Sequence, residues 1–358
     1  MKRPTVAAVV IALSLAGGAA GNGLTGAPVS ASPGASTLAP LPRQPKGVAF
    51  PTVRWPRGAL PHGVTRSGLH AAFSQAQVRS LLAVKGGKLV YEAYGAPDGP
   101  ETSMMSASIA KSFTSAVIGL LVGDGKLHLG GPAPVKAWAD PHDPRHAITV
   151  ADLLHMSSGL QWAEEYSGSF GDISKMIGAP NASEYAASLP LESPPGTVWH
   201  YSTGTAAILA GIIIDTLGGE TAAERYIRRR LLVPIGITST RFARDQSGRW
   251  YGGFGADSTP RDFARFGLLY LRDGVWNHKR ILPRGWVDFT RTPGPASPQY
   301  GALWWLNYGE PGTFTAVGLF GQYILVAPAF DLVIVVTSSP SGQASSLLHS
   351  VYSAFANA

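Results

Sequence analysis

A serine and a lysine three residues apart carry the clearest chemical signal in this sequence. In Ser108-Ile-Ala-Lys111, at the start of a helical pattern, the two side chains lie on one face of the helix, one turn apart. A serine hydroxyl is a weak nucleophile until a base takes its proton, and a lysine amine is such a base when burial disfavours its ammonium form. The helix N-terminus adds positive charge where an oxyanion would form. The pair predicts nucleophilic catalysis, and the simpler alternative is a solvated serine and lysine on an ordinary helix.

Two further segments carry residues that could complete such a site. Tyr201, in Tyr201-Ser-Thr203, could relay a proton from the serine and lysine to a leaving group. Gly318, in Gly318-Leu-Phe-Gly321-Gln322, is expected to open a strand, where a glycine lets the backbone approach a substrate and the next amide N–H point into the site. Taken singly, a core tyrosine and a strand bulge are the simpler interpretations.

Several other kinds of chemistry are excluded by residues that the sequence lacks. Its 358 residues include no cysteine, which removes thiolate nucleophiles, disulfides, cysteine-ligated zinc and iron–sulfur sites, and lipid attachment through cysteine. There is no G-x-S-x-G, H-E-x-x-H or P-loop motif. Prolines interrupt the pair His142 and His146, which favours a surface loop over a metal site. We therefore expect neither a metal nor a cofactor.

The amino terminus has the pattern of an export signal. Lys2 and Arg3 precede an apolar run from Val6 to about Ala20, and no charged residue follows until Arg43. We assign residues 1–31 to a signal peptide, with cleavage after residue 20 or residue 31. The run is short for a spanning helix, and an uncleaved anchor is the alternative. The prediction is a secreted or cell-envelope protein that is not a lipoprotein and has no stable membrane insertion after cleavage.

Composition and charge describe a globular protein without a polyanionic partner. Hydrophobic residues make up 45% of the chain and charged residues 14%, which excludes a disordered chain. The formal net charge is +7, and the only dense basic run, residues 228–230, closes a helical pattern, where cations are favoured. We expect a small-molecule substrate, no nucleic acid, and a monomer or homodimer.

Hydrophobic periodicity predicts the main elements. Two apolar runs around a glycine turn, residues 81–84 and 89–94, indicate a hairpin. The helical patterns are 106–122, 149–156, 205–217, 222–232, 260–271 and 345–355, and the later strands are 303–306, 322–327 and 332–337. The predicted organisation is a linker and arm over 32–62, a sheet domain from 63–105 and 300–358, and a mostly helical domain over 106–299, with the active site at their interface.

Together, the Ser108, Tyr201 and Gly318 segments resemble the serine β-lactamase and penicillin-binding family, in which three such motifs occur in this order. Segments 153–160, 258–267 and 300–305 are similar to recurrent segments of its class C branch and esterase relatives, and the resemblance spans about residues 65–355. It implies an α/β (α+β) fold of the β-lactamase/transpeptidase type. In that fold, helices flank an antiparallel sheet and a mostly helical domain is inserted.

Within that family the sequence most resembles the 6-aminohexanoate-dimer (nylon-oligomer) hydrolases and the family VIII-type esterases. The resemblance implies that Ser108 is the nucleophile, Lys111 the base and Tyr201 the proton relay, with the backbone N–H groups of Ser108 and Leu319 as the oxyanion hole. The loop that begins at Trp162 is similar to their substrate loop. The residues implied to bind substrate are Trp162, Tyr166, Asp172 and Gly318, with Tyr166 helping an amide nitrogen to leave; a mobile surface aromatic is the alternative for Tyr166.

One segment departs from the family pattern. The lysine of the family's Lys-Thr-Gly motif meets the substrate carboxylate, and residues Ala316-Val317-Gly318 stand there in this chain. The lost charge partner weakens carboxylate recognition. We therefore expect an exported serine hydrolase that cleaves amide or ester bonds through an acyl-enzyme. The alternatives are a carboxylesterase, a weak β-lactamase or DD-peptidase on the same site, and a non-catalytic penicillin-binding-like envelope sensor.

Overall fold

The computed structural model describes residues 38–166 and 171–358. The predicted signal peptide, residues 1–31, lies outside the described residues. The described part of the predicted linker and arm packs against the rest of the chain. Trp55 is buried, and the carbonyl of Pro51 accepts a hydrogen bond from Arg265 at 2.7 Å.

A six-stranded antiparallel sheet is built from the two ends of the chain. Its strands are β1 (Ser80–Lys85), β2 (Lys88–Tyr94), β7 (Trp305–Leu306), β8 (Phe314–Gly318), β9 (Gln322–Ala327) and β10 (Leu332–Thr337), in the order β2-β1-β10-β9-β8-β7. Short strands β3 (Arg241–Phe242) and β4 (Ala256–Asp257) pair with each other, as do β5 (Val275–Trp276) and β6 (Lys279–Arg280).

Helices cover both faces of this sheet. They are α1 (Arg66–Ala76), α2 (Ile109–Gly123), α3 (Val150–Leu154), α4 (Asp172–Gly178), α5 (Ala182–Ser188), α6 (Thr203–Thr216), α7 (Glu220–Ile227), α8 (Pro260–Leu271), α9 (Trp286–Thr290) and α10 (Ala344–Ala356). Helices α1 and α10 belong to the smaller apolar core on one face, and α2 to α9 contribute to the larger core on the other. Successive side chains of a strand point to opposite faces of the sheet, so both faces of strand β10 are apolar. Val333 and Val335 join the larger core, and Ile334 joins the smaller one.

Helix α2 lies at the centre of the larger core and carries the serine–lysine motif. Nearly all of its residues are buried, and it packs on α6 and on β8. Phe113 stacks on Phe266 of α8 with ring centroids 3.9 Å apart. A helix buried all round cannot shift without disturbing several neighbours, so its N-terminus is a rigid support for a site.

The strongest periodic patterns predicted elements that the structure confirms. Helix α8 and strands β9 and β10 have the predicted bounds, and the first hairpin is present as β1 and β2. Among the described residues no single helix has both the length and the hydropathy to cross a membrane. Two successive helical segments, Thr203–Thr216 and Glu220–Ile235, have this length and hydropathy only when taken together, and the chain bends by 96° between them.

Three predictions of local structure were wrong. Gly318 ends β8 instead of opening a strand, and residues 319–321 form the turn into β9. The predicted strand 303–306 is reduced to β7, because Leu303 has a left-handed backbone (φ 61°). The helix predicted over 222–232 changes at Ile227 into a π turn over Arg228–Leu232.

Candidate active site

Ser108 stands at the positive end of α2, directly before its first residue. Its backbone has φ −73° and ψ −2°, and the preceding Ala107 has a left-handed φ of 43°. This turn redirects the chain from an extended segment into the helix. It leaves the serine side chain partly exposed at the helix N-terminus, where the macrodipole favours negative charge.

The amine of Lys111 lies one turn along α2 and is fully enclosed. Lys111 is 1% exposed, and its Nζ is 3.0 Å from Ser108 Oγ, 3.0 Å from Thr203 Oγ1 and 3.0 Å from the Gly253 carbonyl. Burial lowers the pKa of the Lys111 amine to about 8, although the carboxylate of Glu164 acts in the opposite direction. A minor fraction of the amine is therefore neutral at pH 7, and this fraction grows as the pH approaches 8.

The three contacts of Lys111 fit both the ammonium form, which donates to all three partners, and the neutral amine, which has two N–H groups and one lone pair. The Gly253 carbonyl can only accept a hydrogen bond. The Thr203 hydroxyl donates to the Glu164 carboxylate at 2.5 Å, so it too accepts from Lys111. With both N–H groups so used, the lone pair remains for the Ser108 hydroxyl. In this arrangement Lys111 can take the serine proton.

Tyr201 precedes α6 and brings a phenol to the same pair. Its hydroxyl is hydrogen-bonded to the Ser108 side chain, and Lys111 Nζ lies 4.8 Å from the centroid of its ring. Burial raises the pKa of Tyr201 above its usual range, and the nearby Glu164 carboxylate adds a smaller effect in the same direction. The hydrogen bond with Ser108 lowers this pKa by less. The structure therefore brings Ser108, Lys111 and Tyr201 together, with the phenol in its protonated form.

Glu164 was not assigned a role from the sequence, yet it connects the loop to this pair. Its carboxylate accepts from the Tyr166 hydroxyl at 2.8 Å, the Thr203 N–H at 2.8 Å and the indole N–H of Trp162. The only sign of a role for Glu164 in the sequence is its place two residues before Tyr166. Its partner Thr203 is distant in sequence, so the contact between them has no local pattern. Glu164 supplies negative charge close to the buried amine.

The turn between β8 and β9 lies against the nucleophile turn. A Cβ atom at Gly318 would be 2.6 Å from the Ser106 carbonyl oxygen and 3.1 Å from the Ala107 Cβ, so only glycine fits this approach. Leu319 is thereby brought alongside the start of α2. No backbone acceptor among the described residues receives the N–H of Ser108 or of Leu319. Two such donors can bind an oxyanion.

Three of the other residues predicted to bind substrate also have partners within the protein. Asp172 accepts from Ala163 N–H at 2.8 Å, Tyr185 at 2.7 Å and Lys175 at 3.2 Å, so its contacts brace the loop. Trp162 is buried beneath the site. The Tyr166 hydroxyl donates a hydrogen bond to Glu164. Burial, and to a lesser extent the charge of the Glu164 carboxylate, raises the pKa of this hydroxyl. None of the described hydrogen bonds joins these residues to Ser108.

The end of β8 next to Ser108 carries hydrocarbon side chains. Ala316 and Val317 are buried within β8. The partly exposed aromatic rings of Trp199 and Trp305 lie near Tyr201, with Trp305 at 5.6 Å between ring centroids. Across residues 38–166 and 171–358, no group of three or more His, Cys, Asp or Glu side chains is placed to hold a metal ion.

Comparisons with known proteins agree with this arrangement. The family model described as beta-lactamase matches residues 71–350. The 6-aminohexanoate-dimer hydrolase of Paenarthrobacter ureafaciens is 26% identical over 286 residues, covering 73% of this chain and 72% of that protein. A proposed 6-aminohexanoate-dimer hydrolase from Bacillus anthracis has a TM-score of 0.72 at 25% identity, covering 88% of each chain. A penicillin-binding protein from Bacillus halodurans shares the fold, with a TM-score of 0.65 at 20% identity over 80% of this chain and 99% of that one. The resemblance and the fold class predicted from the sequence are confirmed.

Proposed function

The chain belongs to the beta-lactamase family and is a serine hydrolase, and we propose that it is an exported enzyme that cleaves an amide or ester bond through an acyl-enzyme on Ser108. One observation carries the proposal: a buried amine, Lys111 Nζ, lies 3.0 Å from Ser108 Oγ with its other hydrogen-bonding positions filled.

Acylation begins with the neutral form of Lys111. Its lone pair takes the proton of Ser108 as the serine oxygen attacks the substrate carbonyl carbon. Negative charge then develops on the carbonyl oxygen, where the N–H groups of Ser108 and Leu319 and the N-terminus of α2 stabilise it. The proton acquired by Lys111 balances the charge of the tetrahedral intermediate.

Collapse of that intermediate needs a proton on the leaving group. Tyr201, hydrogen-bonded to Ser108, donates its phenolic proton to the departing amine or alcohol and is reprotonated by Lys111. The product of this half-reaction is an ester between Ser108 and the acyl group. A water molecule then attacks that ester and gives its proton to the Lys111–Tyr201 pair. The pair returns this proton to Ser108 Oγ as the bond between the serine oxygen and the acyl carbon breaks, which releases the acid and regenerates the serine.

The substrate we propose is a linear amide or ester that needs no ion pair at β8, rather than a penicillin-like compound whose carboxylate is bound there. Hydrocarbon at Ala316 and Val317 offers no ion pair to a carboxylate, and the aromatic rings of Trp199 and Trp305 provide apolar contact. Two of the similar proteins carry the name 6-aminohexanoate-dimer hydrolase, which supports a linear amide as a substrate. Tyr166, held by Glu164, is then the residue that assists departure of the amide nitrogen.

A substrate panel tests this proposal. We expect Ser108-dependent hydrolysis of p-nitrophenyl butyrate and of the linear 6-aminohexanoate dimer, and much slower hydrolysis of a chromogenic cephalosporin and a D-alanyl-D-alanine peptide. Ser108→Ala should abolish turnover. The matched control is Ser112→Ala, which removes another buried hydroxyl of α2, bonded to the Leu303 carbonyl at 2.9 Å, and should leave turnover largely intact.

The outcomes of the panel separate the alternatives. Ester cleavage without amide cleavage would make the protein a carboxylesterase. Fast cephalosporin or peptide hydrolysis would make it a β-lactamase or DD-peptidase and contradict the argument from Ala316 and Val317. Covalent labelling of Ser108 without turnover on any substrate would identify an envelope sensor.

Export is the second part of the proposal and rests on the signal pattern of residues 1–31. Expression of the full-length chain in a bacterial host, followed by fractionation and N-terminal sequencing, tests it. We expect a mature protein outside the cytoplasm that begins after residue 20 or residue 31. An intact amino terminus in the cytoplasmic fraction would contradict export.

A further inference from the structure

The turn that presents Ser108 has a backbone conformation that needs support. Ala107 is not a glycine, yet it has a left-handed φ of 43°. Such a conformation persists only where the surroundings determine it, because the Cβ of an L-residue crowds the backbone there. The residues around Ala107 must therefore hold the turn in place.

On one side the turn is paired with β4 and the residue that follows this strand. Met104 and Ser258 exchange backbone hydrogen bonds at 2.9 and 3.1 Å. Two residues after Met104, side chains replace the backbone groups in this hydrogen bonding. The Ser106 N–H donates to Asp257 Oδ1 at 2.9 Å, and the Ala256 N–H donates to Ser106 Oγ at 2.8 Å. The Asp257 carboxylate thus takes the place of a strand carbonyl.

On the other side the turn is closed by β8, since Gly318 approaches the Ser106 carbonyl. Ser106 is completely buried, so its N–H has no access to water. If Asp257 were absent, that N–H would be a buried donor without a partner, and the backbone would shift to satisfy it. A shift of Ser106 is transmitted through Ala107 to Ser108, the next residue but one.

The contact depends on an acceptor oxygen and not on charge. Among the described residues no ion pair joins a cation to Asp257, whose side chain is partly buried. Burial raises the pKa of the Asp257 carboxyl, against a smaller lowering by its hydrogen bonds to Ser106. A carbonyl oxygen at the same point would serve equally well.

We infer that Asp257 is a positioning residue, which holds the Ser106–Ser108 turn so that the serine hydroxyl and the Ser108 N–H face the substrate. This inference rests on the proposed function of Ser108. Asp257 acts through the backbone and does not touch the substrate. Its loss should therefore change the rate of the chemical step and not the binding of the substrate.

Two variants of Asp257 test the inference. Asp257→Ala removes the acceptor, and Asp257→Asn keeps a carbonyl oxygen while removing the charge. We expect Asp257→Ala to lower kcat for p-nitrophenyl butyrate by about 10- to 100-fold with KM changed by less than about threefold. The rate of labelling by a fluorophosphonate probe should fall by a similar factor. Asp257→Asn should stay within about threefold of the natural enzyme in both measurements. If the alanine variant is not recovered folded, Asp257→Thr, whose hydroxyl is too short to reach Ser106, takes its place.

The matched control is Asp245, which is also buried and also accepts backbone N–H groups, from Ala182 at 2.9 Å and Arg249 at 2.9 Å. Asp245→Ala should lower the melting temperature and leave the rates per folded molecule unchanged. Rates are normalised to folded protein, so that a loss of stability is not counted as a loss of catalysis.

Each outcome decides the inference. Loss of rate in Asp257→Ala with retention in Asp257→Asn supports it. Unchanged rates per folded molecule in Asp257→Ala would overturn it and leave only a structural role, and equal losses in both variants would overturn the argument that an acceptor suffices. If the natural protein is neither labelled nor active, the proposed function of Ser108 is wrong. If the natural protein and Asp257→Ala are labelled at the same rate, only the role of Asp257 is wrong.

Discussion

The carboxylate of Glu164 is joined to the amine of Lys111 through a single hydroxyl group, that of Thr203. The hydroxyl lies 3.0 Å from Lys111 Nζ and donates to Glu164 Oε1 at 2.5 Å. A partly buried negative charge is thus placed one group away from the proposed base. It opposes the effect of burial on that base, because nearby negative charge favours the ammonium form.

The first prediction concerns the charge of Glu164. Glu164→Gln removes a charge that raises the pKa of Lys111, so the pKa of the amine should fall further below its usual range. The acidic limb of the kcat/KM profile for p-nitrophenyl butyrate should move to lower pH. Glu165→Gln, at the exposed neighbouring residue, is the control and should leave the limb in place. A limb that stays in place in Glu164→Gln would show that the carboxylate does not act on Lys111, and a limb that moves to higher pH would show that it lowers the pKa of the amine.

The second prediction concerns the natural enzyme and its dependence on pH. Burial lowers the pKa of Lys111 to about 8, and only the neutral amine can take the serine proton. Activity should therefore rise by about tenfold per pH unit well below pH 8 and level off above it. The measurement is kcat/KM from pH 5.5 to 9.5 at constant ionic strength. Activity that is independent of pH over this range, or that falls as pH rises through 8, would exclude Lys111 as the base.

The third prediction separates amide from ester substrates. An amine is a poorer leaving group than an alcohol and depends more on a proton donor. Tyr166→Phe should therefore lower hydrolysis of the 6-aminohexanoate dimer by about 100-fold and that of p-nitrophenyl butyrate by less than about threefold. Tyr185→Phe is the matched control, since it removes a hydroxyl bonded to Asp172 at 2.7 Å. An equal effect of Tyr166→Phe on both substrates would remove Tyr166 from the leaving-group step.

The fourth prediction concerns the close approach of β8 to the nucleophile turn. A Cβ at residue 318 would lie 2.6 Å from the Ser106 carbonyl oxygen, closer than van der Waals contact allows. Gly318→Ala should push the two segments apart, widen the proposed oxyanion hole and lower kcat by about 100-fold. Gly130→Ala, where a Cβ meets no atom within 4 Å, is the control. Full activity in Gly318→Ala would show that the Leu319 N–H does not take part.

The sequence predicted the elements whose signals are local. Two residues visible in the sequence mark the start of helix α8. The Thr259 side chain accepts a hydrogen bond from the Asp262 N–H, and Pro260 stands in the first turn. Strands β9 and β10 are buried on both faces, so each is an apolar run except for Gln322 at the start of β9 and Thr337 at the end of β10. In such segments the pattern along the chain is sufficient to predict the structure.

Features that depend on distant partners were not predictable in this way. The hydrogen bonds of the Asp172 carboxylate to Tyr185 and Lys175 were not predicted from the sequence, and its contact with substrate stays a prediction. Glu164 and Asp257 were passed over because their partners, Thr203 and Ser106, are 39 and 151 residues away along the chain. Side-chain pairing between loops is decided by tertiary packing, and a single sequence does not record it.

The most direct test of the central claim is the intact mass of the protein during turnover of p-nitrophenyl butyrate, quenched in acid and followed by peptide mapping. We predict a mass increase of one butyryl group on the peptide that contains Ser108, forming and decaying with the enzyme's turnover. No such adduct should form in Ser108→Ala. Sustained hydrolysis with no adduct on Ser108, or with undiminished activity in Ser108→Ala, would contradict the acyl-enzyme account.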